Sequence, residues 1–89
     1  MPKIRFTQNI QRHIACPPGN VNGTTVQQVL DHYFVENPQA RGYVLDDQGL
    51  LRTHMAIFIN GRQLPGRQSL DHAVPADGVV DVMQALSGG

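Results

Sequence analysis

The sequence of 89 residues contains little of what several large classes of protein require. Its single cysteine, Cys16, excludes an internal disulfide and is typical of a reducing compartment, so we expect a cytoplasmic protein. Seven Lys and Arg residues balance seven Asp and Glu residues, so no net charge would attract nucleic acid or a membrane surface. The apolar runs are a handful of residues long, too short for a transmembrane helix.

Groups that could build a catalytic or metal site are also scarce. The sequence has four histidines: His13, His32, His54 and His72. No two of them have the spacing of a helical or zinc-ribbon ligand set, so we expect no bound metal. Asp46-Asp47 precedes Gln48-Gly49, a pattern typical of a solvated turn, and Cys16 is best interpreted as a small buried thiol. These observations predict a protein that is not an enzyme and binds no cofactor.

Alternating residues predict the strands of a small sheet. Segments 3–7, 54–59 and 79–86 alternate between apolar and other residues, as half-buried strands do. Segment 8–12 is predicted to be a turn. Residues 13–16 with Val21 are predicted to form another strand, which Pro17-Pro18 would confine to an edge because proline cannot donate to a ladder.

One amphipathic helix is predicted to begin at Thr25, where Gln28 three residues later completes a capping box. Its apolar stripe has helical spacing: Val26, Val29, Leu30, Tyr33 and Phe34. Asn37-Pro38 is expected to end the helix, because proline disfavours helical geometry in the residue before it. Segment 39–43 is predicted to be a loop or a single helical turn.

The second half of the chain is predicted to contain a hairpin and a final strand. Asn60-Gly61 is a strong hairpin signal, and residues 62–64 should form the return strand. Segment 69–73 suits one turn of helix capped by Ser69. The final strand is expected to pair beside the first, which gives a mixed sheet around one helix, an α+β domain.

This order of elements, with the Asn60-Gly61 hairpin, the Asp77-Gly78 turn and the terminal Ser87-Gly88-Gly89, resembles the β-grasp fold of ubiquitin-like proteins. More narrowly it is similar to the bacterial sulfur carriers. These include the small subunit of molybdopterin synthase, the thiamine-pathway carrier and the carriers that feed cysteine synthesis. The resemblance implies a mixed sheet of four to five strands on one main helix. It also implies a single domain over 1–89 with a flexible tail at 86–89.

The resemblance further implies a carrier whose Gly89 carboxylate is adenylated by an E1-like enzyme that uses ATP. Sulfur would then displace AMP and leave a thiocarboxylate, the donor for a sulfur-accepting biosynthetic enzyme. The chain could itself act as the small subunit of a sulfur-transferring synthase. Gly88 and Gly89 suit this role because residues without a Cβ can thread a narrow channel.

Ordering the tail costs on the order of 1–2 kcal/mol per residue, so binding energy must come from elsewhere on the domain. Phe58 is the first candidate, since it is out of phase with the predicted core residues of its strand. Met83 would extend the same outer patch, and Leu86 and Ser87 at the root of the tail would complete the partner-binding set. Alternatively, Phe58 is only a partly covered sheet residue.

Three functions remain open for the tail. It could carry sulfur, it could attach this protein to lysines of other proteins as a ubiquitin-like modifier, or it could be inert on an interaction module. The receiving pathway is also open. Leu86-Ser87 stands where proline and alanine usually precede the glycines of molybdopterin synthase, which weakens the molybdopterin assignment without excluding it.

Overall fold

The computed structural model describes residues 1–65 and 70–84 of the chain. Its strands are β1 (Lys3–Phe6), β2 (Gly19–Asn20), β3 (Met55–Ile59), β4 (Arg62–Gln63) and β5 (Val79–Gln84). Its helices are α1 (Gln8–Gln11), α2 (Val26–Glu36) and α3 (Pro38–Val44). Among the described helices, none is long and apolar enough to cross a bilayer.

The five strands form one mixed sheet in the order β2-β1-β5-β3-β4. The final strand, β5, lies at its centre, parallel to β1 and antiparallel to β3. The predicted pairing of the last strand beside the first is therefore confirmed. The mixed sheet, the principal helix and the α+β class agree with the β-grasp architecture.

The core lies between the sheet and α2. All five members of the predicted helical stripe are buried: Val26, Val29, Leu30, Tyr33 and Phe34. They share one apolar cluster with inward residues of the three long strands, among them Ile4, Ile57 and Val82. Apolar residues recur about every 3.6 positions on α2 and every second position on the strands. Each element therefore buries one apolar face against the other.

The beginning of α2 is capped at two levels. The Thr25 hydroxyl accepts a hydrogen bond from the Gln28 N–H at 3.2 Å, as the sequence predicts. The Gln28 side chain accepts from the N–H and the hydroxyl of Thr24. The N–H groups of Val26 and Gln27 donate to backbone carbonyls of segment 70–72. Two of the helix's first four N–H groups are thereby satisfied by a distant part of the chain.

That contact corrects the prediction for segment 69–73. Leu70 and Asp71 form a turn, and Ala73 pairs with Thr25 across an isolated bridge instead of continuing a helix. The carbonyl groups of this segment are used by α2, so they do not form a local helical turn. The predicted cap, Ser69, lies outside the described residues.

Two further predictions for the first half of the chain were wrong. Residues 8–11 form the short helix α1 where a turn was expected, and residues 13–16 are not a strand. The second strand is only Gly19–Asn20, paired with β1 at the edge of the sheet. Pro17 and Pro18 precede it and have no N–H to donate, which explains both its edge position and its late start.

The connections after α2 fit the sequence more closely. Asn37 separates α2 from α3, a seven-residue helix that begins with Pro38, where a loop or a single helical turn was predicted over 39–43. The Asp46 carboxylate accepts from the N–H groups of Gln48 and Leu50, so the predicted turn is confirmed. Asn60 and Gly61 have φ angles of 51° and 85°, as a primed hairpin turn requires.

Candidate partner-binding face

The central strand β5 separates two environments. Val80 and Val82 point toward α2 and are fully buried, whereas Val79, Asp81 and Met83 occupy the opposite, outer face of the sheet. Among the outer residues Met83 is 39% exposed, a large fraction for an apolar side chain. The predicted phase of the last strand is therefore confirmed over the part the structure describes.

The neighbouring strand β3 contributes Ala56 and Phe58 to the same outer face. Ala56 is paired with Met83, and Phe58 with Asp81, in the antiparallel register. Both side chains are half-buried, while Met55 and Ile57 on the same strand are buried on the inner face. Directly and diagonally opposed side chains on adjacent strands are within contact reach, so Phe58 and Met83 belong to one surface. We call this surface the outer patch, defined by Ala56, Phe58, Val79 and Met83.

An ion pair adjoins the outer patch, because Asp81 lies between Val79 and Met83 on the outer face of β5. Arg5 on β1 is the parallel-register partner of Asp81, and its guanidinium binds the carboxylate in a bidentate manner. Its Nε donates to Oδ1 at 2.7 Å and its Nη2 donates to Oδ2 at 2.9 Å. The hydrogen bond and the charge of Asp81 raise the pKa of Arg5 above its usual value. The positive guanidinium and the negative carboxylate make the pair as a whole neutral.

A surface depression of about 320 Å³ connects the ion pair with the outer patch. Its lining comes from the adjacent ends of β1 and β5: Arg5, Phe6, Thr7, Asp81, Val82 and Met83. The depression is open to solvent, and it places Met83 and the charged pair on one continuous concave surface. A protruding side chain of another protein would contact both at once.

The proposed reactive end follows this surface along the chain. Strand β5 ends at Gln84, one residue beyond Met83. The predicted tail residues Leu86, Ser87, Gly88 and Gly89 lie outside the described residues. Their roles as tail root and reactive end therefore stay predictions.

The other candidate groups occupy separate places. Cys16 is buried, and its burial raises the pKa of the thiol, which keeps it protonated and unreactive at neutral pH. His13 stacks on Tyr43 with ring centroids 6.0 Å apart, and a ring nitrogen of His32 contacts the Asn22 carbonyl. Within residues 1–65 and 70–84, no three His, Cys, Asp or Glu side chains are grouped to hold a metal ion.

The sequence predicted the outward phase of Phe58 and Met83 but did not predict the Arg5–Asp81 pair. Each residue carries a weak signal, because a charged side chain at an outward phase of a strand is ordinary. Only the parallel register of β1 and β5 puts them side by side, although they are 76 positions apart in the chain. A register between the first and last strands cannot be read from either strand alone.

Comparison with solved structures identifies the fold. The fold is similar to SAMP1 from Haloferax volcanii, with a TM-score of 0.77 at 22% identity over 99% of this chain and 98% of that one. It is also similar to CysO of Mycobacterium tuberculosis, with a TM-score of 0.81 at 15% identity over 97% and 100% of the two chains. A third similar structure is the BexX/CysO complex of Amycolatopsis orientalis, with a TM-score of 0.84 at 13% identity over the full length of both chains. The protein therefore has the ubiquitin-like β-grasp fold.

The family follows from the sequence itself. Residues 19–89 match the model of the ThiS family, and the chain belongs to that family. Among curated protein sequences, none matches this chain significantly. The protein is thus a member of the ThiS family with the ubiquitin-like β-grasp fold.

Proposed function

We propose that this protein is a sulfur carrier whose reactive group is the carboxylate of Gly89. Membership of the ThiS family supports the proposal. The observation that carries it is the position of β5, which bears Met83 on the outer patch and ends five positions before Gly89 in the sequence. The proposed recognition surface and the proposed reactive group are therefore close to each other in the sequence.

The proposed chemistry has two steps, both in the active site of a partner. A carboxylate is a poor electrophile at neutral pH, so an E1-like enzyme would first activate it with ATP. One carboxylate oxygen attacks the α-phosphorus, pyrophosphate leaves, and an acyl-adenylate forms. A hydrosulfide equivalent then attacks the carbonyl carbon, AMP leaves with the carboxylate oxygen, and a thiocarboxylate remains.

The length of the tail is compatible with partner binding by the sheet and reaction at Gly89. Gly89 is six positions after Met83 in the sequence, and a fully extended chain of six residues spans at most about 22 Å. A partner that binds Phe58 and Met83 could therefore accommodate the Gly89 carboxylate in an active site up to that distance away. Glycine at the last two positions removes side chains that would obstruct a narrow channel.

The direct test is intact-protein mass spectrometry of the purified chain. The protein is incubated with ATP, sulfide and the adenylating enzyme from the same genome. We expect a mass gain equal to replacement of one oxygen by sulfur, and its loss when ATP is omitted or Gly89 is deleted. An unchanged mass in the complete reaction would contradict the proposal, as would full activity in cells of the Gly89-deleted protein.

The sulfur acceptor is proposed to be a biosynthetic enzyme of the cysteine, molybdopterin or a related cofactor pathway. The BexX/CysO complex is an instance of a similar fold assembled with another protein, which supports a carrier that works through partners. Mixing the thiocarboxylate form with candidate acceptor enzymes and their substrates should return the carboxylate form with only one of them. Recovery of the original mass identifies that acceptor.

A protein modifier is the second candidate, and the similarity to SAMP1, named as a small archaeal modifier protein, is the observation that favours it. Both functions use an activated Gly89, so adenylation alone does not separate them. Digestion of cell extracts would separate them. Isopeptide bonds between Gly89 and lysines of other proteins favour the modifier, and a thiocarboxylate at Gly89 favours the carrier.

A further inference from the structure

The Arg5–Asp81 ion pair sits where a partner covering the outer patch would also cover it. Asp81 lies between Arg5 on one neighbouring strand and Phe58 on the other, in the middle of the outer face. The depression of about 320 Å³ joins the pair to Met83. A partner surface that buries Phe58 and Met83 therefore also removes water from Arg5 and Asp81.

Burial of an isolated carboxylate at a protein interface is strongly unfavourable, because its hydration is lost without replacement. Asp81 is already only 25% exposed, so part of that hydration has been given up in the free protein. Both of its carboxylate oxygens accept hydrogen bonds from Arg5 at 2.7 and 2.9 Å. Its charge is therefore compensated before any partner arrives.

Arg5 is placed differently. Its side chain is 51% exposed, and two of the five N–H groups of a guanidinium bind Asp81. The remaining donors can reach neutral acceptors such as backbone carbonyl oxygens of a partner. An acidic group on the partner would have to compete with Asp81, and a basic group would have to approach the exposed cation.

From this arrangement we infer that the pair is an internally neutralised recognition element, and that the partner covers it with an uncharged, largely apolar surface. The partner is the adenylating enzyme, so the inference rests on the proposed function. Arg5 is then a specificity-determining residue that acts within its own chain. Arg5 allows the Asp81 carboxylate to be buried in an otherwise apolar interface without a positive charge from the partner.

A set of charge-removing variants tests this inference. ATP–pyrophosphate exchange by the adenylating enzyme is measured with Arg5→Gln, Asp81→Asn and the double variant as the carrier substrate. Each single variant leaves one uncompensated charge at the interface, so its KM should rise on the order of tenfold with kcat little changed. The double variant restores neutrality, and its KM should return to within about threefold of the wild type.

Other results would overturn the inference. A loss in Arg5→Gln that the second substitution does not rescue would indicate an acidic partner group on Arg5. An unrescued loss in Asp81→Asn would indicate a basic partner group on the carboxylate. Unchanged KM values in both single variants would place the pair outside the interface.

Two controls keep the outcomes distinct. Arg41→Ala removes an exposed arginine from α3, on the helical side of the sheet, and should leave KM unchanged. Thermal unfolding of each variant checks that it is folded at the assay temperature. If a single variant is unfolded, the salt dependence of the wild-type KM at saturating ATP shows whether the partner's contact with the pair is neutral or charged. A neutral contact predicts a change below about threefold between about 50 and 500 mM NaCl, and a steep rise would overturn the inference.

The proposed function and this inference fail in different ways. Absence of exchange with the wild-type protein would contradict the carrier function and remove the inference with it. Exchange with the wild type but no rescue in the double variant would leave the carrier function intact and overturn the inference alone.

Discussion

The two faces of the sheet are built from alternate residues of the same strands, yet they differ in what they contact. On β5, Val80 and Val82 are fully buried beneath α2, and the intervening Asp81 and flanking Met83 face outward. On β3, Ile57 is buried and Phe58 is half-buried on the outer side. The inner face therefore contributes to the core, and the outer face is the one that we propose binds the partner.

A domain of this size can use one face of its sheet to form the core and present the other face to the proposed partner. Burying apolar area on one face stabilises the fold, with roughly 25 cal/mol for each square ångström removed from water. The outer patch contributes less to that total because part of its surface stays in water. Substitutions on the outer patch should therefore cost less stability than substitutions on the inner face.

The largest effect is expected on the inner face. Ile57→Ala deletes three carbon atoms from a side chain that is 1% exposed, and should lower the free energy of unfolding by about 2–5 kcal/mol. Urea denaturation measures it, and Ile57→Val, with an expected loss of about 0.5–1.5 kcal/mol, is the matched control. A loss near zero for the alanine variant would mean that the inner face is not tightly packed. The KM of the folded fraction for the adenylating enzyme should stay the same.

A smaller effect is expected at Tyr33, where the helical stripe meets the inner face. The ring centroids of Tyr33 and Phe6 are 5.0 Å apart, and the Tyr33 hydroxyl donates a hydrogen bond to the Pro17 carbonyl oxygen at 2.7 Å. Tyr33→Phe removes this hydrogen bond and should lower the free energy of unfolding by about 1 kcal/mol at neutral pH. Urea titration measures the difference. An unchanged midpoint would show that the hydroxyl contributes nothing net.

The same residue predicts a dependence on alkaline pH. Burial, with a smaller contribution from the charge of Cys16, raises the pKa of Tyr33 from 10.0 to about 12. Above pH 10 the unfolded chain loses this proton and the folded chain keeps it, so stability falls as pH rises from 10 toward 12. Urea titrations across that range should show a shallower decline for Tyr33→Phe than for the wild type. Equal slopes would contradict the assignment.

The smallest effect on stability is expected on the outer patch. Phe58→Ala should change the free energy of unfolding by less than about 1 kcal/mol, because the ring is only half-buried. It should nevertheless raise the KM for the adenylating enzyme about tenfold if Phe58 anchors the partner. The control is Val35→Ala, which removes an exposed apolar side chain from α2 on the other side of the protein. Equal KM values for the two variants would indicate that Phe58 is only a partly covered sheet residue.

Local patterns were sufficient to predict the elements whose own residues decide them. The α2 stripe, the alternation on β3 and the Asn60-Gly61 turn depend on neighbours within a few positions, and all three were confirmed. The prediction was wrong for residues 13–16 and for segment 70–73. In the second case the carbonyl groups cap α2, a use that depends on a helix more than 40 positions earlier in the chain.

The candidate site divides in the same way. The family, the terminal glycines and the outward phase of Phe58 and Met83 follow from the amino-acid sequence. The position of β5 between β1 and β3 follows from the folded sheet, and this position brings Arg5 to Asp81 on the outer face. The physical reason is that periodicity assigns a side chain to a face, whereas its neighbours on that face depend on strand register. Register between the two ends of a chain is fixed only when the whole sheet packs on its helix.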